Sequence, residues 1–283
     1  MPPGLGSAIP SIAAPRPWVK VSRRKVQASM TETITVMTYN VHSCVGTDGK
    51  LSPFRIAEVV ARHGPDVAAL QELDSGLVRT GFVDQAALIA RQLNMHYHFH
   101  PALAMEAGQY GNAILSRLHM RVRRAAELPS LPGRGIREKR GALWAKVAVG
   151  KGQLQFISTH LGLSRKERRA QASSLLGSQW LGHSECRPPV ILCGDLNSTA
   201  WGAAYRLLCG TLLDVPRLLG KARRTWPARL PLMRLDHVLV SPDVYAEDVE
   251  VPADSLALAA SDHLPVIARL KVRDEGDVDE QNP

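Results

Sequence analysis

The chain has 283 residues, 45% hydrophobic and 22% charged, with a formal net charge of +9. That is ordinary globular composition, enough for one large domain or two modest ones with ample surface to bury. No apolar run approaches the roughly 20 residues of a membrane-spanning helix, which argues against a helical membrane protein.

Four cysteines (Cys44, Cys186, Cys193, Cys209) show no metal-type spacing. They read as buried free thiols in a reducing compartment, so a cytoplasmic, monomeric protein is expected. Charge is unevenly spread. Residues 1–30 carry Arg16, Lys20, Arg23, Arg24 and Lys25 and no acid, while residues 274–283 carry Asp274, Glu275, Asp277, Asp279 and Glu280 and no base. These ends cancel, and residues 31–273 keep the +9. "SAIPSIAAP" is broken by proline and its charges follow it, so a cleaved signal is not expected. Residues 1–30 read as a disordered extension, 31–273 as the folded domain, and 274–283 as a disordered acidic tail.

"TITVMTYN" (33–40) alternates and is β-branched, which predicts a strand ending at Asn40. In "SPFRIAEVVARHGPD", Ser52 is a plausible N-cap, Pro53 fits the first helical position, and Gly64-Pro65 stops the helix. Its expected apolar face is Phe54, Ile56, Val59 and Val60. "DVAALQEL" follows as a buried strand carrying Glu72. Residues 84–94 predict a helix, 96–103 a strand and 111–117 a short strand. The arginine-rich segment 118–140 reads as loop. "GALWAKVAV" and "QLQFISTHL" predict a hairpin around "GKGQ". Residues 164–181 predict a helix with a Ser164–Glu167 capping box. Next come a strand in "PPVILCGDLNS", a helix over 199–210, a strand in "RLDHVLVS" and a final strand in "DHLPVIARLKV". A purely parallel doubly wound sheet would not contain the hairpin. Two mixed β-sheets packed face to face, with helices outside, fit this α/β pattern better.

Polar residues recur at the strand ends: Asn40, Glu72, Asn112, His160, Asp195 with Asn197, Asp236, and Asp262-His263. Singly, each has an ordinary reading as a turn, a surface carboxylate or a satisfied core histidine. Together they describe a rim where sheet proteins gather ligands. In "ILCGDLNS", Gly194 can supply a bend. Asp195 and Asn197, two apart on extended chain, would then face one side, with Leu196 turned to the core.

"MTYNVHS", "PDVAALQELD", "GNAILSR", "ISTHL", "VILCGDLNS", "RLDHVLVS" and "SDHLPVIARL", in that order, resemble the endonuclease/exonuclease/phosphatase superfamily over about residues 33–272. The resemblance implies a four-layer α/β sandwich of the DNase I-like kind and hydrolysis of phosphoesters with Mg²⁺ or Mn²⁺. It implies that Glu72 is the principal metal carboxylate, with Asn40 assisting and Asp262 a second metal-side carboxylate. Asp195 would orient or deprotonate the attacking water, with Asn197 beside it. His263 would be the catalytic histidine, Asp236 its carboxylate partner, and His160 a contact to the phosphoryl oxygens. Asn112 and Arg140 match substrate-side positions.

The chemistry is consistent with these roles. A hard cation on carboxylate oxygens neutralises phosphate charge and polarises water, whereas zinc would want His and Cys clusters. One departure bears on the substrate. Abasic-site nucleases of the family usually carry Asp or Asn two residues after the first Asn and Lys after "QET"; here those places are His42 and "QELD". The match to DNA repair is therefore weaker than the match to the shared chemistry.

Three basic runs lie near these motifs: Arg117 to Arg140, Arg165 to Arg169, and Lys221 to Arg234. They read as a phosphate-binding rim, against the plainer reading of a solvated face. A nucleic-acid phosphodiesterase is the first expectation. The same machinery acting on a phospholipid, an anionic lipid surface or a small phosphate ester is the second. A non-catalytic scaffold of the same fold is the third. Aromatics at 5% weaken a case for stacking single-stranded bases, although Trp201 and Trp226 stand where they could contact substrate.

Overall fold

A computed structural model describes residues 31–105, 108–131 and 139–273. The expected disordered ends, together with Arg134 and Arg137, lie outside the described residues. The strands are β1 (Thr31–Asn40), β2 (Val67–Ser75), β3 (His96–Met105), β4 (Gly108–Ser116), β5 (Met120–Glu127), β6 (Gly141–Val149), β7 (Gly152–His160), β8 (Val190–Asp195), β9 (Leu213–Asp214), β10 (Asp236–Val240), β11 (Tyr245–Glu250) and β12 (Val266–Arg273). The helices are α1 (Pro53–His63), α2 (Gln85–Leu93), α3 (Arg165–Leu176), α4 (Ala203–Leu208), α5 (Val215–Leu218) and α6 (Ser255–Ala260). Among the described residues, no helix is long and apolar enough to cross a membrane.

The strands form two mixed six-stranded sheets, ordered β11-β12-β1-β2-β4-β3 and β5-β6-β7-β8-β10-β9. Each has one parallel pair near its centre, β1 with β2 and β7 with β8. A parallel pair needs a crossover, which α1 and α3 supply. The remaining pairs are antiparallel, including the β6–β7 hairpin.

Side-chain parity explains the layers. A strand's successive residues face opposite sides. On β1, Ile34 and Val36 enter the core between the sheets, while Met37 and Tyr39 pack under α1 and α2 with Ile56, Val60 and Ile89. On β8, Ile191 and Cys193 face the intersheet core, while Val190 and Leu192 meet Leu175 and Tyr205 of α3 and α4. Helix, sheet, sheet and helix give the four-layer α/β sandwich.

Several local expectations need correction. Segment 118–140 was expected to be loop but contains β5, an edge strand whose alternation is blurred by Arg121, Arg123 and Arg124. Two of these are held on the outer side, Arg123 by Glu185 and Arg124 over the Trp180 ring. Edge strand β11 and helix α6 were likewise not foreseen. Ser52 caps α1 as expected, accepting from Arg55 N at 3.2 Å. Phe54, however, is 57% exposed, and Ala57 takes its place on the buried face. The capping box at α3 does not form. Ser164 makes no side-chain cap bond, and Glu167 is buried, with Ser130 Oγ 3.4 Å away. α3 also stops at Leu176, because Gly177 turns to extended backbone.

Candidate active site

The same parity carries polar side chains to the mouth of the intersheet layer. Asn40 continues Ile34, Val36 and Thr38; His160 continues Leu154, Phe156 and Ser158; Asp195 continues Ile191 and Cys193; Asp236 precedes Val238 and Val240. Register aligns them across strands, with His160 opposite Asp195 and Asp236 opposite Asp195. Glu72 arrives differently. The β2–β4 register slips between Leu70 and Leu73, and Glu72 takes a φ of 63°. Such a bulge inserts one residue and re-aims a side chain. Leu73 returns to the helix side with Leu70, and Glu72 turns into the site.

Asn40 is fully buried and links the two carboxylates. Its Nδ2 donates to Glu72 Oε1 at 2.8 Å and to Asp195 Oδ2 at 3.0 Å. Its Oδ1 accepts from His42 N at 3.1 Å, which fixes which end of the amide faces the carboxylates. Asn40 therefore offers donors to the site, and the oxygens that could meet a cation come from Glu72 and Asp195. Ser261 Oγ, donating to Asn40 O at 2.8 Å, ties the final loop to this strand end. Nothing in the sequence marks that tie beyond Ser261's place in "SDH".

Asp195 accepts from Asn197 N at 2.7 Å through Oδ1. Asn197 is not on extended chain, as expected from sequence, but in the left-handed region at φ 46°. A short polar side chain bonding the backbone two residues on is the usual reason for such a turn. Leu196 does point into the core. Burial, with Asp236 nearby, pushes the Asp195 carboxyl pKa up, against lowering by His263 and by the Asn197 and Asn40 hydrogen bonds.

His263 and Asp236 form a buried pair, Nδ1 to Oδ2 at 2.9 Å. Burial opposes a charged His263, but the charge and hydrogen bond of Asp236, with Asp195 and Asp262 adding to them, raise its pKa to about 10. Its Nε2 lies 3.7 Å from Asp195 Oδ2. His160 is the opposite case. Burial, then the charges of Arg140 and His263, hold it well below the usual histidine range. Arg140 Nη1 lies 3.0 Å from His160 Nδ1, and arginine can only donate. The other ring nitrogen, Nε2, faces Asp195 Oδ2 at 3.5 Å and Glu72 Oε1 at 3.8 Å. Asn197 Nδ2 sits 3.0 Å from the same nitrogen and donates to Leu161 O at 2.9 Å.

Candidate ligand atoms of Glu72, His160 and Asp195 lie within 4.8 Å of one another, as do those of Asp195, Asp236 and His263. Asp262 falls in neither cluster. Its carboxylate accepts from Trp226 Nε1 at 3.1 Å and faces His42 Nδ1 at 3.6 Å, at the outer rim. Asn112 is buried, with Nδ2 3.4 Å from Gly141 O, and Arg140 is buried behind His160.

The sequence pattern of the endonuclease/exonuclease/phosphatase family matches residues 37–263, a span that contains every one of these site residues. The chain belongs to that family. It is 30% identical over 168 residues to YbhP of Escherichia coli, a protein described only as uncharacterized. That match takes in 58% of this chain and 63% of YbhP, so it spans less than two thirds of the relative. Proteins of known structure share the fold. A Bacteroides thetaiotaomicron mannosyl-6-phosphatase superposes with a TM-score of 0.67 at 21% identity, over 84% of this chain and 99% of that one. D. rerio TDP2, in complex with a single-strand DNA product, gives 0.62 at 20% identity, over 84% and 98%.

Proposed function

We propose that the chain is a Mg²⁺- or Mn²⁺-dependent phosphodiesterase. One observation carries the reading: a neutral histidine, a cationic histidine and a buried carboxylate converge beside Glu72, with Asn40 joining the carboxylates. Glu72 would hold the divalent cation, with Asp195 as its neighbour. Two carboxylates and no thiolate suit a hard, oxygen-seeking ion that keeps several waters. When bound, such an ion neutralises phosphate charge and polarises water.

The chain's own residues supply the rest. Asp195, with its basicity raised by burial, accepts the proton of the attacking water. Asn40 and the Asn197 N–H hold that carboxylate in place. The protonated His263 presents Nε2–H to a phosphoryl oxygen, and Asp236 keeps the ring oriented and charged. His160, with Arg140 donating to its Nδ1, would present a second, neutral N–H from the opposite side. Fixed donors aimed at developing charge lower the barrier without reorganising during reaction.

Nucleic acid is the substrate class favoured by the +9 charge and by a relative of the same fold that holds a DNA product. The charge argument is weakened by internal pairing: Arg234 is bound to Asp214, Lys139 to Glu127 and Lys221 to Asp248. A lipid-borne phosphoester is the second reading, favoured by the exposed apolar side chains around the site. The test is a panel of duplex, abasic and single-stranded DNA, RNA, phospholipid vesicles and small phosphate esters. Each is assayed with Mg²⁺, Mn²⁺ or excess chelator. Hydrolysis of at least one class, abolished by chelator and restored by metal, is expected. Hydrolysis indifferent to chelator, or none on any phosphoester, would overturn the reading.

A further inference from the structure

Large exposed apolar side chains are concentrated on the loops at the site end of the sandwich. Leu163 lies just beyond His160, and Trp201 just beyond Asn197. Leu230 and Leu232 cap a turn that Trp226 and Met233 close with paired backbone hydrogen bonds of 2.9 and 2.8 Å. Exposure runs from 58% at Leu232 to 84% at Trp201. At the opposite end, Tyr97, Leu213 and Tyr245 are exposed on strand ends, while the connections 64–66, 117–119, 150–151, 177–189 and 241–244 carry no exposed large hydrophobic side chain. The loops of the site end therefore carry the more exposed apolar side chains of the two sets of connections.

The turn is held against the site. Ala228 N donates to Asp262 O at 2.7 Å, Arg229 Nη2 to Thr47 O at 2.9 Å, and the Trp226 ring lies 6.4 Å from the His263 ring. Its apolar tip is therefore presented in a fixed position. Segments 161–166, 198–202 and 219–235, which carry these side chains, contain no acid. Arg165, Lys166, Arg223, Arg224 and Arg229 stand exposed on them.

Apolar tips among bases match an anionic bilayer surface. Leucine enters the acyl boundary, tryptophan favours the headgroup level, and each base near the surface adds attraction. Single-stranded nucleic acid fits less well, because three of the four exposed tips are leucines and only Trp201 among them gives a base an aromatic face on which to stack. The geometry points to a docking face for anionic lipid membranes, on which headgroup phosphodiesters are presented to Glu72 and Asp195. The inference rests on the phosphodiesterase reading for the identity of the substrate alone.

Docking is tested by sedimentation with vesicles of phosphatidylcholine, with and without phosphatidylglycerol, using Asp195→Asn so that no turnover intervenes. Binding to the phosphatidylglycerol vesicles that weakens with salt is expected. It should fall about tenfold or more in Trp201→Ser/Leu230→Ser/Leu232→Ser, and separately in Arg223→Glu/Arg224→Glu. These side chains are exposed, so thermal midpoints should hold; if the apolar variant unfolds, the arginine variant decides. No vesicle binding, or equal binding by all forms, overturns the inference. So does a variant set that loses binding to a single-stranded oligonucleotide while keeping vesicle binding. If the unmutated protein binds vesicles yet hydrolyses no phosphoester, the phosphodiesterase reading fails and the docking face stands.

Discussion

At the residue scale, the two site histidines differ because their neighbours differ. Both are buried, and burial alone would keep each neutral. Asp236 reverses this for His263, whereas Arg140 reinforces it for His160. Asp236 Oδ1 is buried with no hydrogen-bond partner among the described residues, so His263 is the group left to satisfy this carboxylate. Asp236→Asn removes the charge that keeps His263 protonated. Turnover should fall by roughly a hundredfold or more. The alkaline limb of the rate profile, assigned under the proposed role to deprotonation of His263, should move to lower pH. A full pH profile on a small diester checks both. An unchanged alkaline limb would mean that His263 does not act as the cationic donor.

At the scale of elements, the site depends on how closely two parallel strands approach. Gly194 has a φ of 148°, and a Cβ there would overlap the Thr159 carbonyl oxygen on β7. Gly194→Ala should therefore push β8 from β7 and displace Asp195 from His160. A loss of roughly 3 kcal/mol or more, read from the urea midpoint, is expected. A midpoint within experimental error of the unmutated protein would show that the strands can part cheaply.

Much of this element structure was legible in the sequence. Buried strands advertise themselves by alternation and by unbroken apolar runs, and β1, β2, β7, β8 and β10 stand where the pattern put them. Edge strands β5 and β11 were hidden because arginines and acids occupy them, the usual means of discouraging edge pairing. The bulge at Glu72 was illegible for another reason. Inserting one residue leaves no mark on composition, and only register against β4 reveals it. Asp262 illustrates the limit of reading neighbours together. It follows Ser261 and precedes His263, yet its carboxylate meets Trp226 and His42 and joins neither cluster of candidate ligand atoms.

For the whole molecule, buried neutral groups set how stability responds to acid. His237 packs against Tyr205 with ring centroids 4.9 Å apart, and its Nε2 lies 2.8 Å from Ser198 O. Burial, then the charge of Arg234, lowers its pKa from 6.5 to about 4. The unfolded chain takes up this proton near pH 6.5, and the folded chain only near pH 4. Stability is thus unaffected above pH 6.5 and falls as pH drops through that window, by roughly 3 kcal/mol in all. Urea midpoints at pH 7 and pH 4.5 should show this loss, and His237→Asn should show much less of it. An equal loss in both proteins would assign the acid sensitivity elsewhere.

The same layered body brings Asn40, Glu72, His160, Asp195 and Asp236 from two sheets, and His263 from the loop before β12, to one mouth. Their joint chemistry is probed by hydrolysis of bis-p-nitrophenyl phosphate with Mn²⁺ by the unmutated protein and by Asp195→Asn. That substitution nearly preserves shape while removing the carboxylate proposed to accept the water's proton. Metal-dependent turnover in the first, reduced about a thousandfold in the second, is the predicted result. Equal turnover in both would contradict the assignment of Asp195, and with it the site.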